Sequence, residues 1–179
     1  MIYLFLAEGF EEVEALAPLD RMRRAGLSVT TVGVGGTTVT GAHGISVLCD
    51  LADTEYADDA PEMIFLPGGM PGTLNLAASE IVQKAIATAV KTNAYLAAIC
   101  AAPSILGDLG LLQSKEAICY PGFEARLTGA TLSKNRVVRD GKILTAAGMG
   151  VAIEFGLAIV EEFLGKEKAE ELRRGVLAD

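Results

Sequence analysis

Short apolar runs alternate with amphipathic stretches along this chain. Residues 2–6 form an apolar run that predicts a buried strand ending near Gly9. Residues 11–25 predict a helix whose apolar face is Val13, Leu16, Ala17, Leu19 and Met22. Acids crowd its first turn, and Arg21, Arg23 and Arg24 crowd its last, before Gly26, as the helix dipole favours. Pro18 in its middle predicts a kink. Residues 29–34 predict a second strand, and residues 37–40 and 45–49, flanking a turn at 41–44, predict a hairpin. Residues 63–66 predict a strand stopped by Pro67-Gly68-Gly69. Residues 79–92 predict a helix capped by Ser79, with Ile81, Val82, Ala85, Ile86 and Val90 on one face. Residues 95–99 predict a strand that runs directly into Cys100, and residues 101–109 a helix with Pro103 in its first turn. Strands are predicted at 117–120, 136–139 and 142–146, the last two around Asp140-Gly141, and closing helices at 153–164 and 166–174.

Short apolar strands alternating with helices imply an α/β domain built on a parallel sheet covered on both faces. Right-handed crossovers then bring the carboxyl ends of the strands to one edge, where open sheets of this kind bind their ligands. No repeat, linker or low-complexity segment interrupts the pattern, so residues 1–179 read as a single domain.

Composition narrows the function. The chain carries 15 Lys and Arg against 23 Asp and Glu, a formal charge of −8, with no long basic run, which argues against a nucleic-acid partner. The first seven residues are apolar but lack a basic flank, and the longest mostly apolar stretch, residues 94–107, contains Pro103 and is too short to span a bilayer. Neither an export signal nor a membrane partner is expected. Cys49, Cys100 and Cys119 are then expected as reduced thiols in a cytoplasm. His43 is the chain's one histidine.

Three strand exits at the predicted edge carry the candidate chemistry: residues 8–14, residues 66–72 and residues 97–103. Cys100 stands where a strand turns sharply into a helix, a geometry that lifts a nucleophile clear of the sheet. A helix amino end behind it would favour the thiolate. Cys49 and Cys119 lie within strand-like runs and read as buried packing residues. Gly68 and Gly69 leave backbone N–H groups open to an oxyanion, and the Gly69 and Ala101 amides would pair as its donors if their strands are neighbours. His43, in a Gly-Ala-His-Gly turn far along the sequence from the other exits, reads as a solvated turn residue. A proton partner for the sulfur is therefore sought among Glu11, Glu12 and Glu14. Glu14 lies beside the apolar stripe, where partial burial would raise its pKa, but spacing alone does not choose among the three.

These residues resemble the ThiJ/PfpI superfamily, in the branch of the parkinsonism-associated deglycase (DJ-one). The matching stretches are Glu-Glu-Val-Glu at 11–14, residues 22–26, Leu66-Pro67-Gly68-Gly69, Ala98-Ile99-Cys100-Ala101-Ala102-Pro103, residues 155–161 and Gly165-Lys166-Glu167, collinear over nearly the whole chain. The resemblance implies a flavodoxin-like three-layer sandwich, with a mostly parallel central sheet, helices on both faces and a small β-hairpin. It implies a homodimer, an easily oxidised elbow cysteine at Cys100 with Glu14 as its acid partner, and oxyanion or substrate contacts at Gly69, Ala101, Gly68 and Tyr120. Neither a cofactor nor a metal is implied.

Activities of that branch are conversion of glyoxals to hydroxy acids, repair of glycated side chains, and redox sensing or chaperoning. The expected partner is thus a small dicarbonyl or glycated substrate. The sequence departs from the branch in places: its best-known member has a histidine where Tyr120 stands, an arginine where His43 stands, and Ser-Arg-Gly-Pro-Gly where this chain has Ala146-Ala147-Gly148-Met149-Gly150. A tyrosine is a poor proton shuttle at neutral pH, implying slow glyoxalase turnover. The rival readings are a redox sensor oxidised at Cys100 to the sulfinate, and a non-catalytic binding protein. Thiol peptidase and amidotransferase readings lack a histidine base beside the sulfur.

Overall fold

A computed structural model describes residues 1–57 and 60–178. In chain order the elements are β1 (Ile2–Leu6), α1 (Glu12–Arg24), β2 (Val29–Gly33), β3 (Thr38–Thr40), β4 (Ser46–Leu48), β5 (Leu51–Ala52), β6 (Met63–Leu66), α2 (Gly72–Ala78), α3 (Glu80–Lys91) and β7 (Tyr95–Ile99). They continue with α4 (Pro103–Asp108), β8 (Glu116–Ala117), β9 (Thr131–Leu132), β10 (Val137–Asp140), β11 (Ile143–Ala146), α5 (Ala152–Leu164) and α6 (Lys166–Gly175). Seven strands form the central sheet in the order β10-β11-β7-β6-β1-β2-β5, all parallel except the β10–β11 hairpin at one edge. Strands β3 and β4 form the separate hairpin expected around residues 41–44.

The period-two alternation of each strand divides the core. Ile2, Leu4 and Leu6 of β1, with Met63 and Phe65 of β6 and Ala97 and Ile99 of β7, face the layer that holds Met22 of α1 and Phe155 of α5. Phe5, Ile64, Leu66, Leu96 and Ala98 face the other way, onto Val82, Ala85 and Ile86 of α3 and Ile105 and Leu106 of α4. The result is a flavodoxin-like α/β sandwich. Across the first layer Phe65 and Phe155 meet edge to face, with ring centroids 5.6 Å apart.

Helix α1 differs from the expected stripe. Its buried residues are Glu12, Glu14, Ala15, Pro18, Leu19 and Met22, while Val13 is 44% exposed. The cause is close packing against α5: a Cβ on Gly156 would stand 2.8 Å from the Pro18 Cα, so the two backbones touch there and set the rotation of α1. The amide that Pro18 lacks would have gone to the Glu14 carbonyl. Ser79 caps α3 by accepting from the Val82 N–H, as expected, but Val90 is exposed and Ala89 takes its place in the core.

Two further segments depart from the reading. Helix α2 follows Pro71, in a stretch for which the pattern predicts no element. The strand expected at 117–120 stops at Ala117: the Ile118 N–H goes to Thr145 Oγ1 and the Tyr120 N–H to the Cys100 carbonyl, so no ladder continues. Among the described residues, no helix is long and apolar enough to cross a membrane.

Removing the Phe155 ring deletes its edge-to-face contact with Phe65 and leaves a cavity between α5 and the sheet. Phe155→Ala is expected to lower the unfolding free energy by about 3–5 kcal/mol, measured by urea denaturation. Val90→Ala, on the exposed side of α3, is expected to change it by no more than about 0.5 kcal/mol.

Candidate active site

Strand β1 pairs with β2 on one side and β6 on the other, so the strand order reverses at β1. The exits of β1, β6, β7 and β11 converge at the carboxyl edge beside this reversal. The loop after β1 and the loop after β6 are stitched together, Glu11 N–H to the Gly68 carbonyl at 2.9 Å and Gly72 N–H to the Gly9 carbonyl at 3.1 Å. Only glycines allow this approach. A Cβ on Gly69 would lie 2.3 Å from the Glu11 nitrogen, and one on Gly68 would lie 2.5 Å from Glu14 Oε2 and 2.7 Å from the Cys100 Cβ.

Cys100 follows β7 with φ +65°, a left-handed conformation rare outside glycine. Its N–H still bonds the Ala146 carbonyl at 2.9 Å, which extends the β7–β11 ladder by one rung and anchors the bend. Its side chain is half-buried, whereas Cys49 and Cys119 are buried. Helix α1 brings Glu14 to the same point. Glu11 caps α1, its carboxylate accepting from the Glu14 N–H at 2.7 Å. Glu14 itself is 1% exposed, and its Oε2 accepts from the Gly68 N–H at 3.1 Å.

The Glu14 carboxyl and the Cys100 thiol are hydrogen-bonded to each other. Burial pushes Glu14 up to about 7; the Glu11 charge pushes the same way, while hydrogen bonds from Cys100, Gly68 and Met149 oppose it. Burial, then the Glu14 charge and the bond to its carboxylate, push Cys100 up to about 12 against the pull of the Ala101 and Gly69 amides. The expected thiolate, held by a neighbouring carboxylic acid and a helix amino end, is thus not what burial and the Glu14 charge favour. Helix α4 begins only at Pro103 and is six residues long, too far and too short to outweigh burial beside a carboxylate. Instead, the thiol keeps its proton through neutral pH, while the Glu14 carboxyl gains or loses its own near 7.

The remaining expected residues fall as follows. The Gly69 and Ala101 amides converge on the sulfur, and Gly68 holds Glu14. The Tyr120 N–H donates to the Cys100 carbonyl at 2.8 Å, and the residue is 51% exposed. His43 is exposed in the β3–β4 turn, but it is not free: its Nδ1 lies 2.9 Å from Glu12 Oε2, and hydrogen bonding to Glu12 raises its pKa. Burial opposes ionisation of Glu12, yet the bonds from His43 and Ile45 hold its carboxyl below the ordinary range. Among the described residues, Glu11, Glu12 and His43 are the grouping with donors close enough for a metal ion, all within 4.8 Å. Both Glu12 oxygens already serve the hairpin, so the grouping works as a tether between that turn and α1. The reading of spacing missed the Met149 amide, a donor to Glu14 that no sequence signal distinguishes from any other backbone N–H.

With this geometry in view, comparison with known proteins places the chain. A sequence profile of the DJ-1/PfpI family matches residues 1–162, and the chain belongs to that family. Protein dj-1beta of Drosophila melanogaster is 35% identical over 177 residues, covering 97% of this chain and 95% of that protein. A Caenorhabditis elegans relative named glutathione-independent glyoxalase DJR-1.2 is 31% identical, covering 96% of this chain and 92% of that protein. The structure of oxidized Toxoplasma gondii DJ-1 superposes with a TM-score of 0.94 at 31% identity, covering 98% and 97% of the two chains.

The Glu14 carboxyl titrates higher in the folded chain than in the unfolded one, so folding favours its protonated form. That contribution is fully present below about 4.5 and is lost as pH rises through about 7. Glu14→Gln, which never ionises, is therefore expected to be more stable than the natural chain at pH 8, by up to about 3 kcal/mol. The gap should close as pH falls toward 5. Urea denaturation of both proteins at the two pH values checks this.

Proposed function

We propose that this chain is a cofactor-free, cysteine-dependent enzyme that converts small α-oxoaldehydes to hydroxy acids. The observation that carries the reading is the Cys100–Glu14 pair: a thiol against a buried carboxyl that titrates near neutral pH, beneath two inward amides. The name of the Caenorhabditis elegans relative supports it.

In this reading the Cys100 sulfur bonds to the aldehyde carbon of the substrate as Glu14 takes the thiol proton. The oxyanion so formed rests on the Gly69 and Ala101 N–H groups and is then protonated to a hemithioacetal. Glu14 removes the proton from the former aldehyde carbon, giving an enediol, and a proton is returned to the neighbouring carbon. One carbon is oxidised and its neighbour reduced, so no outside electron acceptor is needed. Water then cleaves the resulting thioester, releasing the hydroxy acid and restoring the thiol. Tyr120 offers no ready proton relay here, so Glu14 carries each of the transfers.

A second reading, redox sensing, is favoured by the exposure of the cysteines. Of the three, Cys100 is the one within reach of solvent, and its neighbours would suit a sulfinate: a protonated Glu14 and two amides are donors to its oxygens. Two molecules of peroxide take the thiol to the sulfinic acid and leave as two of water.

Methylglyoxal supplied without glutathione is expected to yield lactate, followed by proton NMR. Cys100→Ser should lose activity at least about a hundredfold, and full retention of activity would remove the reading. Since Glu14 must be ionised to take the proton, kcat/KM should fall on the acid side with a midpoint near 7 rather than near 4.5. For the redox reading, mass spectrometry after mild peroxide should find two added oxygens on the Cys100 peptide before any on Cys49 or Cys119.

A further inference from the structure

Beyond the sulfur and the carboxyl, the loops that carry the site bring Tyr120, Met149 and Met70, none of them charged. A Cβ placed on Gly148 would stand 3.2 Å from Tyr120 Cδ2 and 3.8 Å from Glu14 Oε1, so the tyrosine ring and the carboxyl approach one another over that glycine. The Tyr120 backbone is held at this point, since its N–H donates to the Cys100 carbonyl and its carbonyl accepts from the Phe123 N–H at 3.2 Å. Half of the tyrosine nevertheless stays open to solvent. Met149, whose N–H donates to Glu14, is 53% exposed, and Met70, which follows Gly69, is 47% exposed. Ala146 and Ala147, at the exit of β11, bring no polar side chain. The same loop meets one cation, the Arg136 guanidinium, 3.2 Å from where a Cβ on Gly150 would stand.

We propose that Tyr120 is a specificity-determining residue that makes this site prefer an α-oxoaldehyde bearing an aromatic ring, phenylglyoxal being the simplest, over methylglyoxal. The proposal rests on the reaction inferred above and names its substrate class. An exposed aromatic ring and exposed thioethers lose water favourably against a second ring, and ring–ring and sulfur–ring contacts add a preference that a methyl group cannot collect. A guanidinium at the rim acts in the same direction. Tyr120 touches the part of the substrate that does not react, so its effect falls on selection between substrates.

Initial rates on phenylglyoxal and methylglyoxal test this in the natural chain, Tyr120→Phe and Tyr120→Ala. The ratio of kcat/KM values, phenylglyoxal over methylglyoxal, should survive in Tyr120→Phe and fall about threefold to tenfold in Tyr120→Ala, mainly through KM. A ratio unchanged in Tyr120→Ala, with both substrates losing in proportion, overturns the proposal. A second readout does not depend on turnover. Mandelate and lactate, the hydroxy acids that the two substrates would give, are compared as protectors of Cys100 against iodoacetamide. Mandelate should protect at a concentration about threefold to tenfold below lactate in the natural chain and Tyr120→Phe, and without that advantage in Tyr120→Ala. If neither aldehyde is consumed, the proposed reaction fails while the protection ratio still decides the preference. Equal protection by the two acids in the natural chain, or an advantage that persists without the ring, ends the proposal.

Discussion

A carboxyl buried to within 1% of its surface, against a thiol, is the constraint around which this edge of the sheet is arranged. Burying an ionisable group away from water is unfavourable unless hydrogen bonds replace its hydration. Glu14 has three such partners, the Gly68 amide, the Met149 amide and the Cys100 thiol, drawn from the exits of β6, β11 and β7. Each partner follows a different strand, so the carboxyl is satisfied only when β6, β7 and β11 lie together with α1 packed against them. The same environment that makes Glu14 costly to ionise gives it a proton affinity matched to neutral pH.

Positions that look permissive in the sequence are tightly determined by that arrangement. Gly68 and Gly69 have no room for a side chain, because the Glu14 carboxylate, the Cys100 Cβ and the backbone of the β1 exit occupy the space. Cys100 holds a positive φ because its amide remains in the β11 ladder while its side chain turns toward Glu14. Glu11 and Glu12, beside Glu14 in sequence, do different work. Glu11 caps the helix that carries Glu14, and Glu12 ties the β3–β4 turn to that helix through His43 and Ile45. Three neighbouring acids thus serve three ends, Glu11 from the extended cap and Glu12 and Glu14 from opposite sides of the first helical turn.

The surroundings of the sulfur bear on how its reactivity arises. A helix amino end is often enough to stabilise an exposed thiolate. Here the helix is short and begins late, and the nearby charge is negative. In the reaction proposed, activation therefore comes from proton transfer to Glu14 as the bond to carbon forms, with the two amides receiving the charge on oxygen. The Tyr120 ring contributes something different, an exposed aromatic face beside the carboxyl over Gly148.

Much of this molecule was legible in the order of its residues. Strand cores such as Ile2–Leu6 and Met63–Leu66 are set by apolar runs too short for helices, and their alternation with amphipathic stretches dictates a parallel sheet with its ligand edge at the strand exits. The elbow at Cys100 and the glycine pair after β6 could be read for the same reason, since both are local consequences of a strand that must turn. Other features could not be read locally. Which of Glu11, Glu12 and Glu14 faces the sulfur depends on the rotation of α1, and that is set by the contact of Pro18 with Gly156, residues 138 positions apart in the chain whose meeting no periodicity announces. The protonation of Cys100 was likewise decided in three dimensions, where burial and the field of Glu14 outweigh the amides that local sequence supplies. Local pattern fixes what a segment buries, whereas charge and orientation depend on what the rest of the chain brings against it.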